Sequence, residues 1–100
     1  MDNETRIQEI KDLIRNFHKE RGWGHHHHPR NLAISICLEA AELLEIFQWE
    51  EYTDARLPEL RDELADVLIY CLTLANAMEL DVSEIIRSKM VINAEKYPKP

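Results

Sequence analysis

Two pairs of acids interrupt otherwise apolar sequence. Glu39 and Glu42 lie three residues apart in the run from Ile34 to Trp49, and Glu63 and Asp66 lie three apart in the run from Glu63 to Tyr70. On a helix, residues i and i+3 share a face, so each pair points one way. If the two helices pack antiparallel, four carboxylates converge. Four negative charges among apolar side chains need cations, and oxygen-only ligands suit Mg²⁺ or Mn²⁺. The expected chemistry is a metal centre that handles phosphates. Glu45, three residues beyond Glu42, extends the first acid face by a turn and could orient a second metal or the attacking water. The general base is left open between Glu42 and Glu45. One such pair alone is a weak signal, because the chain has nineteen acids and acid pairs are routine on solvated helix faces. Both pairs together, on helices that a short connection makes antiparallel, are far more specific.

The elements that must position these acids are helical. Ile7, Ile10, Leu13, Ile14 and Phe17 form one apolar stripe, which predicts a first helix over residues 3–20 with Asn3 or Asp2 as its cap. Arg21-Gly22 should end it, since glycine favours the left-handed C-terminal position. Residues 21–29 read as a loop carrying Trp23 and the run His25–His28. The bland reading of the run is a solvated polar loop; the functional one has at least one histidine reaching a ligand. Pro29 fits the first turn of a second helix, about 30–50. Pro58 opens a third, about 58–79, whose core stripe reads Leu60, Leu64, Val67, Leu68, Cys71, Leu72 and Ala75, with Ile69 and Leu74 on a second apolar face. Asp81-Val-Ser-Glu84 is a capping-box pattern that starts a fourth helix over 82–96. On that helix Lys89, Asn93 and Lys96 form one polar, cationic stripe.

At 100 residues the chain is one small domain, residues 1–98, with 99–100 a tail. Apolar residues make up 45% of it, and only two glycines and four prolines occur, so an all-α protein is expected. Four helices cannot cover apolar faces this broad, which implies a homo-oligomer, most simply a twofold dimer. A net charge of −7 argues against a nucleic-acid surface. It would also repel a polyphosphate unless cations intervene. No apolar run approaches the roughly 20 residues that span a bilayer, and the polar, acidic N-terminus is unlike a signal peptide. Cys37 and Cys71 sit in apolar patterns and are expected to be buried and reduced. The expected location is cytoplasmic.

Taken together, these motifs resemble the MazG-like all-α NTP pyrophosphohydrolase superfamily, and within it the small dCTP-pyrophosphatase-like branch. The resemblance covers most of the chain. It rests on Arg21-x-Trp23, on His27-x-Pro29-Arg30-Asn31-Leu32, and on Glu39-x-x-Glu42-Leu-x-Glu45-x-Phe47-Gln48-Trp49. It continues through Glu63-x-x-Asp66-Val-x-x-Tyr70 and Lys89-Met-x-x-Asn93-x-x-Lys96-Tyr97-Pro98. The branch usually has an aromatic residue before the motif histidine, where this chain has His26, so the resemblance leaves the preferred base open.

The resemblance implies a four-helix bundle completed as a dimer or a dimer of dimers, with active sites that often borrow residues from a neighbouring subunit. It implies cleavage of a nucleoside triphosphate to monophosphate and pyrophosphate, with Mg²⁺ held by Glu39, Glu42, Glu63 and Asp66, and a role in nucleotide-pool house-cleaning. Lys89 and Lys96 would then stabilise phosphate charge, and Asn93 and Tyr97 would bind sugar or phosphate oxygens. Trp23 and Trp49 are candidates for stacking on the base, His27 for a hydrogen bond to the nucleotide, and Asn31 for nucleotide binding or bracing of the loop. Competing readings are a phosphoribosyl-ATP or dUTP hydrolase and a non-catalytic helical dimerisation or metal-binding module. A di-iron bundle ranks low, because neither acid pair carries the Glu-x-x-His histidine.

Overall fold

The computed structural model describes residues 1–24 and 27–100; the His25 and His26 positions of the histidine run lie outside the described residues. Among those described, the chain is all-helical: α1 (Ile7–Glu20), α2 (Pro29–Gln48), α3 (Leu57–Ala77) and α4 (Val82–Lys96), with one turn of 3₁₀ helix at Asp54–Arg56. No helix among them is long and apolar enough to cross a membrane.

The N-terminal boundary differs from the expected one. Met1 carbonyl accepts from the N–H groups of both Glu4 and Thr5, at 3.0 and 2.8 Å, closing a separate turn. Arg6 is then extended and caps α1 without a side-chain hydrogen bond, so neither Asn3 nor Asp2 is the cap. The C-terminus follows expectation. Gly22 has φ 66°, and Trp23 N–H donates to His18 carbonyl at 3.0 Å while Gly22 N–H donates to Lys19 carbonyl at 3.2 Å. This paired closure is a Schellman motif, with glycine in its left-handed position. It turns Trp23 back against the helix, with its ring edge-on to Phe17 at 5.5 Å between centroids.

Pro29 opens α2 and Pro58 sits in the first turn of α3. The two helices form the main packed pair. Arg56 fastens their connection: Nη1 donates to Ile46 carbonyl at 2.9 Å, while Nε bonds Glu59 at 3.0 Å. One cation thus holds the end of α2 to the start of α3. Lys11, buried on α1, donates to Leu80 carbonyl at 2.7 Å, and Asn76 donates to Lys11 carbonyl at 3.1 Å, tying α1 to the far end of α3. At α4, Asp81 accepts from Glu84 N–H at 2.8 Å, the expected cap.

The core is thin. Ile14, Leu32, Ile46 and Ala75 are its buried apolar residues among those described. The inward stripe of α3 is Leu60, Glu63, Val67, Tyr70 and Leu74, whereas Leu64, Leu68 and Cys71 face outward. The expected stripe therefore mixed two faces, because α3 is apolar on both. Cys37 and Cys71 are free but exposed rather than buried, since both lie on faces that no described element of this chain covers. α4 has no buried residue and packs only marginally on the rest.

Candidate active site

The acids sit on the core-facing stripes themselves. α2 points Leu32, Ile36, Glu39, Leu43 and Ile46 inward, and α3 points Leu60, Glu63, Val67 and Tyr70 inward. Glu39 and Glu63 therefore occupy positions that packing alone would give to leucine. The α2–α3 contact brings them together with Asp66: one carboxylate oxygen from each of the three lies within 4.8 Å of the others. Oε2 of Glu39 and Oε2 of Glu63 are sealed from solvent and have no hydrogen-bond partner among the described residues.

Burial, then contact with the Glu42 carboxyl, then the charges of Glu42, Asp66 and Glu63 push Glu39 above the ordinary carboxylate range. The same forces act on Glu63, with burial first, then Glu42, Asp66 and Asp62. A carboxyl–carboxyl hydrogen bond needs a shared proton. Once all are ionised, the two buried oxygens have no donor and face only like charge. An all-oxygen set with orphaned, buried acceptors fits a hard divalent cation. Two ligands of one Mg²⁺ lie at most about 4.2 Å apart, so the oxygens need only a small contraction to share one.

Glu42 is exposed and lies against both Glu39 and Glu63. Glu45, one turn further on, is exposed and outside the three-oxygen cluster. Beside the acids a cavity of about 510 Å³ opens between α1 and α3, lined by Leu13, Phe17, Trp23, His27, Asp66 and Tyr70 among others. Two expected site residues, Trp23 and His27, thus share a wall with Asp66. Asn31 is exposed in the first turn of α2, and Trp49, at its C-terminus, is 77% exposed. Lys89, Asn93, Lys96 and Tyr97 do not line this cavity. Lys96 Nζ instead stands 5.4 Å from the Tyr97 ring centroid.

Sequence reasoning missed Tyr70, Phe17 and His18 as cavity residues. Tyr70 was visible as Asp66+4, and His18 as Ile14+4, on the edge of the α1 stripe.

The family model described as MazG-like matches residues 34–100, which include both acid pairs. The chain belongs to the MazG-like family. It is 38% identical to dCTP pyrophosphatase 1 of Mus musculus and 36% identical to that of Homo sapiens, in each case over 95% of this chain. It spans 61% of the length of those relatives. A crystal structure of a pyrophosphatase from Archaeoglobus fulgidus superposes with a TM-score of 0.87 at 44% identity, covering 96% of this chain and 95% of the other. The fold is thus shared with that structure along essentially the whole chain.

Proposed function

We propose that this chain is a Mg²⁺-dependent nucleoside triphosphate pyrophosphohydrolase. It converts a (d)NTP and water to the (d)NMP and pyrophosphate, with dCTP or a broader nucleotide range as substrate and nucleotide-pool house-cleaning in the cytoplasm as its role. One observation carries the reading. Carboxylates from two helices meet at the edge of an apolar cavity with aromatic walls, which pairs a phosphate-handling end with a base-sized slot. Its similarity to a dCTP pyrophosphatase and to an archaeal pyrophosphatase supports it.

Glu39, Glu42, Glu63 and Asp66 would hold the cation, Mg²⁺ or Mn²⁺. Bound there, such a cation would neutralise phosphate oxygens and make water more acidic. Glu42 or Glu45, both exposed on α2, would take the proton from the attacking water. Trp23 and His27 would bind the nucleoside part in the cavity; Trp49 would stack on the base and Asn31 would bind the nucleotide or brace the loop, though neither lines the cavity of its own chain. Lys89 and Lys96 stabilise phosphate charge, and Asn93 and Tyr97 bind sugar or phosphate oxygens. Because these four do not line their own chain's cavity, they serve a neighbouring copy in a homodimer or homotetramer.

The test is pyrophosphate release from a panel of NTPs and dNTPs, with Mg²⁺ or EDTA, for wild type and Glu63→Gln. Metal-dependent turnover is expected, and the substitution should lower it at least about 100-fold. Orthophosphate as product would place the scissile bond elsewhere. A folded, Mg²⁺-binding protein with no turnover on any nucleotide would be a non-catalytic helical module.

A further inference from the structure

We propose that His18 selects the nucleobase, its imidazole closing the end of the substrate cavity opposite Asp66. The inference rests on the nucleotide reading above and adds to it a residue that discriminates between bases.

The cavity has a direction. On α3 it is lined by Asp66, Ile69, Tyr70 and Thr73, a single face two turns long, or about 10 Å at 1.5 Å per residue. Asp66 belongs to the acid cluster, so phosphates lie at that end. A second cavity, of about 530 Å³, lies beyond; it shares His18, His27 and Thr73 with the first and adds Arg15, Lys19 and Asn76, but not Asp66. His18, His27 and Thr73 therefore form the partition at the end remote from the acids, where a base must sit if the phosphates are at Asp66. Between the two ends the walls include Leu13, Ile14, Phe17 and Trp23, apolar and aromatic surface that suits a planar ring.

Few polar groups at that partition are free to read a base edge. Thr73 Oγ1 already donates to Ile69 carbonyl at 2.7 Å. Tyr70 stands one turn from Asp66, nearer the phosphate end. The His18 and His27 rings meet edge to face with centroids 4.4 Å apart, and neither side chain has a hydrogen-bond partner among the described residues. His18 is half-buried on the rigid last turn of α1, while His27 is carried by the loop. The Schellman closure at Gly22 then sets Trp23 near it, with ring centroids 6.1 Å apart.

Charge supports the assignment. Burial, and secondarily the neighbouring His27, hold His18 below the usual imidazole value, so at neutral pH it offers one N–H donor and one nitrogen acceptor. A permanent cation there would instead draw phosphate away from the acid end. Leaving a buried base edge without its partner weakens the fit about 10- to 100-fold.

The experiment is kcat/KM for dCTP, dTTP, dATP and dGTP with Mg²⁺, measured for wild type, His18→Leu and His18→Gln. For His18→Leu the best substrate should fall about 10- to 100-fold, mainly through KM, while the poorest changes little, so that selectivity flattens. His18→Gln keeps a donor and an acceptor and should recover part of the discrimination. Equal losses on all four bases, or an unchanged ranking in both variants, would overturn the proposal and leave His18 a packing residue. A wild type inactive on the whole panel would sink the nucleotide reading itself, an outcome distinct from loss or retention of selectivity in an active enzyme.

Discussion

Glu39 and Glu63 stand where a helix pair would ordinarily place leucine, and their protonation therefore couples to folding. Both ionise at higher pH in the folded chain than in the unfolded one. A carboxyl shifted this way favours the folded state fully below its unfolded value, near 4.3; that contribution is lost as pH rises through the raised folded value. Metal-free protein should thus lose stability as pH rises above about 4.5 more steeply than Glu63→Gln, as thermal melts across a pH series will reveal. Added Mg²⁺ should reverse the loss, by about 2.7 kcal/mol at a hundredfold excess over Kd. The gain should be smaller at pH 5, where protons compete for the ligands. The acids were legible in the sequence because charge inside apolar runs is conspicuous. Their orphaned oxygens were not, because which face of α2 and α3 turns inward depends on packing, and both helices are apolar on two sides. His18 escaped notice for a related reason: a single histidine at the edge of an amphipathic stripe looks like any other boundary residue until the loop folds Trp23 and His27 against it.

Two helix ends use the same closure with different residues. At α1 the left-handed position is Gly22, with φ 66°; at α3 it is Glu79, with φ 54°. The α3 end is closed by Leu80 N–H to Ala75 carbonyl at 2.9 Å and Glu79 N–H to Asn76 carbonyl at 3.2 Å. A side chain with a Cβ is strained in that region, whereas glycine is not. Glu79→Gly should therefore stabilise the protein by about 0.5–1 kcal/mol, and Gly22→Ala should destabilise it by about 1 kcal/mol or more, both readable from urea midpoints at constant slope. Gly22→Ala should also raise KM for the nucleotide, because the same closure aims Trp23 at the cavity. The glycine stop was legible from residue type alone. The Glu79 stop was not, because nothing in a glutamate announces positive φ; the 5→2 and 6→1 bonds and the Lys11 contact at Leu80 impose it. The α1 start was misplaced for a similar reason. Asn3 and Asp2 are good caps by type, yet the Met1 carbonyl captures the first turn before the helix can use them.

At the scale of the molecule the single chain is open for its mass. Its surface is 8477 Å² at 11.8 kDa, whereas a folded monomer of that mass exposes about 5,900 Å². Its radius of gyration is 16.0 Å, against about 13 Å for a compact chain of 100 residues. The excess of roughly 2,600 Å² per chain is of the size that obligate interfaces bury. It is also apolar: Ile34, Leu38, Leu64 and Leu68 on α2 and α3, and Ile86, Met90, Val91 and Ile92 on α4, are each 45–62% exposed. Sedimentation should accordingly give a mass at least twice 11.8 kDa and a melting temperature that rises with protein concentration. Leu68→Asp, remote in type and face from the inward acids, would place an unpaired charge on that exposed apolar face. It should shift the mass toward the single chain and lower stability by several kcal/mol. On the proposed reading turnover should fall with it, because Lys89, Asn93, Lys96 and Tyr97 do not line the cavity of their own chain and would reach a nucleotide from a neighbouring copy. A Leu68→Asp protein that sediments as a single chain and keeps full activity would show that α4 contributes nothing across the interface. The phosphate end would then depend on the acids of α2 and α3 alone.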